Sequence, residues 1–307
     1  MADSARVLYL TDLDGTLLGD DLTVSPASAA ILNDLIAAGV LITAATARAR
    51  ESARRALAGV DLRLPVAFLN GGYLADLHGG PIQGGFPLPA ETAAALIEDY
   101  LRRDLHPRVY TVDAAGEEHV YHQGTFNPCE QEHLIERLAG GDRRFRRVAD
   151  LTAACAETIV AVNAVDTAGR LQAMHEAWRG RADVHCHYSP DIYVLGYHWL
   201  EICERRAHKG EAARALMALT GADRLVCFGD NTNDLPMFAA ADEGYAVGNA
   251  HPEVRAAATA VLGDHTTDAV ARRIRALADL AAPTAERPVR SVGSERSGRP
   301  EPTPAEA

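Results

Sequence analysis

Long apolar runs, paired cysteines and a surplus of basic charge are all missing from this 307-residue chain. A helix that spans a bilayer needs about 20 mostly apolar residues; no stretch here approaches that, so no membrane partner is expected. The five cysteines (Cys129, Cys155, Cys186, Cys203 and Cys227) are odd in number and widely spaced, with no Cys-x-x-Cys pair. That pattern argues against a disulfide framework or a cysteine zinc site and suits a reducing cytosol. Met1-Ala2-Asp3-Ser4 passes straight into a strand-like run without the apolar core of a secretion signal, which points to the cytoplasm. The 42 acidic residues against 30 basic ones give a formal net charge of -12. A nucleic-acid backbone would meet a repulsive field, so nucleic acid is not expected as a partner either. A small anionic substrate stays open, because a bound cation and one lysine reverse the sign locally.

What is present is an ordinary globular composition, 48% hydrophobic and 23% charged, in a chain long enough for two domains. Val7 to Thr11 is a short continuous apolar run that reads as a buried parallel strand. Ser25-Pro26 is a helix start, with Ser25 as N-cap and Pro26 in the first turn, and Gly39 supplies the stop. Between them Ile31, Leu32, Leu35 and Ile36 share one helical face. Further buried strands are expected at 40–45 and 66–69, the latter ending in Asn70-Gly71-Gly72. This alternation of strand and helix predicts a doubly wound α/β sheet.

From residue 84 the texture changes. Pro87 and Pro89 mark a linker, and short strands at 108–113, 120–122 and 158–162 alternate with helices in a more polar background. The buried-strand pattern returns at 200–203, 225–228 and 245–247. The expected division is a core over 1–83, an inserted α/β lobe over 84–190, a second core segment over 191–282 and a disordered tail over 283–307, rich in Pro, Ser, Glu and Arg.

Asp12 and Asp14 stand one residue apart at the carboxyl end of the first strand, where the period of two puts both carboxylates on one side. Ligands of open α/β sheets bind at that end, and Gly15 lets the chain turn away. A lone Asp-x-Asp also fits a solvated loop or a structural calcium ligand. The surrounding motifs sharpen it. Asp12-Leu13-Asp14-Gly15-Thr16, Thr46-Ala47-Arg48, Lys209-Gly210 and Gly229-Asp230-Asn231-Thr232-Asn233-Asp234 follow in order, and the chain resembles the haloacid-dehalogenase superfamily of phosphohydrolases. Leu200-Glu201-Ile202 and Ala246-Val247-Gly248-Asn249-Ala250 are similar to its Cof-type branch. The resemblance covers about residues 7 to 280 and implies a Rossmann-like core whose inserted α/β domain is a cap over the site. Ala47 departs from the glycine usual in the second motif; a helix N-terminus needs no positive φ, so the phosphate contact is expected to survive.

Four clustered carboxylates, Asp12, Asp14, Asp230 and Asp234, offer the hard oxygens that suit Mg²⁺, and without a cation they would raise one another's pKa values. The resemblance implies that Asp12, the Asp14 main-chain carbonyl and Asp230 hold Mg²⁺, with Asp234 orienting water at the metal. It further implies Asp12 as nucleophile, Asp14 as acid and base, and Lys209, Thr46, Asn233 and the Leu13 and Ala47 amides around the phosphoryl oxygens. The expected function is hydrolysis of a small phosphorylated metabolite, sugar phosphates first, then flavin-pathway, pyridoxal or nucleotide phosphates. A phosphomutase or phosphotransferase of the same parts, and a phospho-ligand-binding regulator without turnover, are the alternatives. Arg48 is read as a loop-orienting or salt-bridging residue and Asn70-Gly71-Gly72 as a tight turn near the site. His185 and His187 share a strand face, a weak reading for a soft metal. Tyr121-His122, Tyr193 and Tyr197-His198-Trp199 fit packing better than a substrate cleft.

Overall fold

The computed structural model describes residues 5–139, 142–191 and 194–281. The expected tail at 283–307 and Tyr193 lie outside those residues.

The first half of the core supplies β1 (Val7–Thr11), α1 (Pro26–Ala37), β2 (Leu41–Ala44), α2 (Arg50–Ala56) and the hairpin β3 (Val66–Phe68) and β4 (Tyr73–Ala75). Ser25 caps α1 by accepting a hydrogen bond from the Ser28 N–H at 2.9 Å, and Gly39 follows the helix end at φ +88°. The chain then crosses into a second sheet made with α3 (Ala90–Arg102), β5 (Arg108–Val112), β6 (Glu118–His122), α4 (Pro128–Ala139), β7 (Phe145–Arg147), β8 (Thr158–Thr167), α5 (Ala168–Trp178), β9 (Val184–Pro190) and β10 (Tyr197–Glu204). It returns through α6 (Lys209–Thr220), β11 (Arg224–Gly229), α7 (Leu235–Ala240), β12 (Glu243–Ala246), α8 (Pro252–Ala257), β13 (Ala260–Val261) and α9 (Ala269–Ala281).

The core sheet is parallel, in the order β13-β12-β11-β1-β2. From β1 the chain winds outward to β2, and after the insertion it resumes at β11 on the other side of β1. The boundary between β1 and β11 is therefore the topological switch point, where such sheets bind ligands. β3 continues the sheet through a parallel bridge between Ala45 and Ala67. Leu8, Leu10, Ile42, Leu225, Val226 and Phe228 are buried between the flanking helices.

The second sheet, β7-β6-β5-β8-β10-β9, is mixed, its one parallel pair being β6 with β7. One face packs under α3 and α5 through Val109, Val162, Leu200, Ile202, Leu96 and Trp178. The opposite face carries Tyr110, Ala161, Asn163, Trp199, Glu201 and Cys203 toward the core. Here the structure corrects the expected division. The run at 200–203, assigned to the core, is the middle of β10 and pairs with β8 and β9, so the inserted sheet continues to Glu204 instead of ending near 190. Leu200 and Ile202 alternate with half-buried Trp199 and Glu201, the pattern of a strand packed on one face only.

A second contact ties the two sheets together away from the crossings. Glu118, on β6, accepts hydrogen bonds from the Arg50 backbone N–H at 2.8 Å and from the Tyr73 hydroxyl at 2.5 Å, and Arg144 donates to it at 3.2 Å. Ala49, the residue before α2, has no capping side chain, so a carboxylate from the inserted lobe caps this core helix. The Arg50 guanidinium reaches back to the carbonyls of Gly80 and Gly116.

Within the lobe, Glu130 and Arg108 are both buried and lie 3.8 Å apart. Burial pushes the Glu130 carboxyl up from 4.5 to about 7, with Arg108 opposing. A carboxyl raised on folding stabilises the fold most below its unfolded pKa, and that contribution is lost as pH rises through the folded value. Urea unfolding compared with Glu130→Gln should therefore show the wild type gaining stability relative to the variant as pH falls from about 7.5 to about 5. A constant difference across that range contradicts it.

Candidate active site

β11, β1 and β2 are neighbours, so their carboxyl ends deliver Asp230, Asp12 and Thr46 to one place. α6 begins opposite them with Lys209. Its ammonium, 1% exposed, donates to Asp12 Oδ1 and to Asp234 Oδ1, each at 2.6 Å. Asp234 is fully buried, and its other oxygen accepts the N–H groups of Asp230 at 2.9 Å and Asn231 at 3.0 Å. Both its oxygens are thus committed to the lysine and to the shape of the loop after β11. Burial alone would lower the Lys209 pKa, yet Asp12 and Asp234 outweigh it and hold the ammonium above its ordinary value. Burial likewise raises the Asp12 carboxyl; Lys209 opposes this, Asp234 adds to it, and the Leu13 N–H opposes it. Asp230 is raised by burial and by Asp234, against Thr16 and Lys209.

Asp12, Asp230 and Asp234 each bring a carboxylate oxygen within 4.8 Å of the others. Three carboxylates against one ammonium leave an uncompensated negative charge, which a divalent cation with hard-oxygen preference would neutralise. With Asp234 committed, Asp12 and Asp230 are the carboxylates left to such an ion. The Asp14 main-chain carbonyl accepts no backbone hydrogen bond among the described residues. Gly15 makes the arrangement sterically feasible. It sits at φ +69°, and a Cβ there would stand 2.5 Å from Asp230 Oδ2. Thr16 holds the other Asp230 oxygen at 3.1 Å, and Asn249 donates to the Gly15 carbonyl at 2.8 Å. The donor set fits Mg²⁺.

The Asp14 side chain does not join this cluster. Its carboxylate is gripped by Arg48, Nε to Oδ2 at 2.7 Å and the guanidinium's second nitrogen to Oδ1 at 2.6 Å. Thr46 is buried; its Oγ1 accepts the Arg48 N–H at 3.0 Å, and its own N–H goes to the Ala67 carbonyl. Among the residues other than glycine with positive φ, Ala47 does not figure, and its N–H donates to no backbone carbonyl among the described residues. Asn233 reaches across to Asn70 at 3.3 Å, which brings the turn after β3 to the edge of the site. Asn70 itself has φ +56°.

Two clefts open between the sheets, of about 530 and 680 Å³, and share Ala47, Leu69 and Glu201. Trp199 lines the first; His185 and His187 line the second, with Lys209 and Asn233. Tyr121 instead binds Glu157 at 2.8 Å, His122 packs with Phe126, and His198 stacks on Tyr188. Asn249 and Glu201 are signalled in the sequence only as members of the motifs at 246–250 and 200–202, and the Glu118 contact, which joins residues 68 apart, carries no local signal.

A family model described as haloacid dehalogenase-like hydrolase matches residues 9–274. The chain belongs to that family. Pyridoxal phosphate phosphatase YbhA of Escherichia coli (strain K12) is 31% identical over 281 residues, covering 88% of this chain and 98% of that protein. The 5-amino-6-(5-phospho-D-ribitylamino)uracil phosphatase YwtE of Bacillus subtilis (strain 168) is 25% identical over 275 residues, 85% of this chain and 94% of that protein. TM0651 of Thermotoga maritima superposes with a TM-score of 0.72 at 23% identity, over 89% of this chain and 97% of that one, and shows the shared fold. This member of the family is a phosphoric monoester hydrolase. No helix among its described residues is long and apolar enough to cross a membrane.

Substituting Gly15→Ala forces a positive φ and a carboxylate clash together. It should lower unfolding stability by about 1–3 kcal/mol, measured by chemical denaturation. Wild-type stability in the variant would show that the turn relaxes freely.

Proposed function

We propose that the protein is a Mg²⁺-dependent phosphatase that hydrolyses a small phosphorylated metabolite through an aspartyl-phosphate on Asp12. The observation that carries this reading is the buried Lys209 bridge between Asp12 and Asp234 at the switch point, with Asp230 beside it. A phosphoryl dianion repels a carboxylate nucleophile, so the site must neutralise charge and fix the line of attack. Mg²⁺, held by Asp12, Asp230 and the Asp14 carbonyl, supplies that neutralisation when bound. Lys209 orients Asp12 and faces its charge toward the phosphoryl oxygens. Asp12 attacks phosphorus, the ester P–O bond breaks, and Asp14 gives its proton to the departing oxygen. Asp14 then takes a proton from the water that hydrolyses the acyl phosphate. Thr46 still has its hydroxyl hydrogen to donate, and it joins the Leu13 and Ala47 amides and Asn233 around the remaining oxygens.

In this reading the Arg48 grip parks Asp14 at the lip of the site, and the pair parts when substrate enters under the cap. Substrate choice lies with the inserted lobe. The activities named for YbhA and YwtE support pyridoxal-type and flavin-pathway phosphates ahead of the sugar phosphates expected from sequence. A cytoplasmic enzyme of small metabolites is consistent with the charge and the free cysteines.

Phosphate release from a panel of phosphomonoesters should require Mg²⁺, stop with a chelator and return when the metal is restored. Asp12→Asn should lower turnover by about 10³-fold or more. Substantial Mg²⁺-dependent turnover in that variant refutes the nucleophile.

A further inference from the structure

Glu201 stands out on the cap face that looks down on the site. It lines both clefts, at the point where they meet over Ala47 and Leu69. In register it lies opposite Asn163 on β8 and His187 on β9, so all three side chains share that face. Its neighbours are already engaged: Asn163 accepts from Arg108 at 3.0 Å, and Cys203 points its thiol at the His185 carbonyl. The other carboxylates lining the same clefts are paired, Glu51 with Arg54 and Arg55, Asp142 with Arg144. Among the described residues no hydrogen bond or ion pair reaches the Glu201 carboxylate. Burial raises its pKa, with His187 opposing. A half-buried carboxylate without a partner is costly unless a ligand supplies the donor.

Resting on the phosphatase reading above, we propose that Glu201 selects the leaving group, accepting a hydrogen bond from a protonated nitrogen on a flat heteroaromatic ring. A carboxylate only accepts, and a cationic donor makes a bond about twice as strong as a neutral one. The walls beside it suit a ring: Tyr110, Trp199 and Leu69 on one side, the His185 and His187 imidazoles on the other. A polyhydroxylated sugar in the same place needs several partners, and each hydroxyl buried without one weakens binding. Glu201 is a specificity residue here. It takes no part in the chemistry at phosphorus.

The test compares wild type, Glu201→Gln and Glu201→Ala with Mg²⁺ on pyridoxine 5′-phosphate, a hexose 6-phosphate and p-nitrophenyl phosphate. Glu201→Gln should lower kcat/KM for pyridoxine 5′-phosphate by about 10- to 100-fold, mainly through KM, and Glu201→Ala at least as much. The fall on p-nitrophenyl phosphate, which has no donor to offer, should stay below about threefold. Equal losses on both substrates, no loss on pyridoxine 5′-phosphate, or a larger loss on the hexose phosphate overturns the proposal. Calorimetric binding of pyridoxine 5′-phosphate to Asp12→Asn, with and without Glu201→Gln, separates the two readings. Turnover surviving in Asp12→Asn sinks the nucleophile but leaves the Glu201 comparison standing. Binding that is absent, or indifferent to Glu201, sinks the selection even where the chemistry holds.

Discussion

A lysine ammonium sealed from water between two carboxylates is the constraint on which the rest of this molecule turns. Desolvating that charge costs several kcal/mol, and only close, well-directed partners return it. Asp12 arrives from the first strand, Asp234 from the loop after β11, and Lys209 from the helix that follows the whole inserted lobe. The bridge therefore closes only when three distant stretches of chain are all in place. Through its second oxygen Asp234 also holds the Asp230 and Asn231 amides, so the turn that presents Asp230 depends on the same contact. Loss of Lys209 would leave two carboxylates buried without their cation, the costliest break in this set. The site and the stability of the core are in this sense one structure.

Much of this was legible in residue order. The uninterrupted run before Asp12 is what a strand buried on both faces requires, and the Ser25-Pro26 start acted locally, as capping does. The parallel order of β11, β1 and β2 then brought the motifs together without further information. The boundary of the inserted lobe was harder. Leu200 and Ile202 suggested another core strand, but a strand of either sheet buries leucine and isoleucine. The discriminating feature was the alternation with Trp199 and Glu201, which marks a sheet with one packed face and one facing a cleft. The salt-bridging role read for Arg48 is met by Asp14, a partner that residue order leaves open because the turn at Gly15 and the entry to α2 set the geometry of the contact.

Ala47 illustrates how a departure from a familiar motif is absorbed. The backbone there keeps to a region open to any L-residue, so the missing glycine removes a freedom that the turn does not use. Gly15 is the contrary case. Its conformation and the proximity of Asp230 both exclude a side chain. The two positions look alike as small residues in short motifs, and only the fold tells them apart.

Glu118 has a bearing on how such proteins diversify. The helix that follows the second motif starts from a bare alanine, Ala49, and borrows the acceptor for its first N–H from the inserted lobe. A transplanted lobe without a carboxylate at the position of Glu118 would bring a new pocket but leave that helix unfinished, and with it the loop around Thr46. Exchange of specificity between members of this fold is then not a matter of swapping modules at two linkers. The graft must carry a carboxylate at the matching position of its second strand, or the recipient core must evolve a cap of its own.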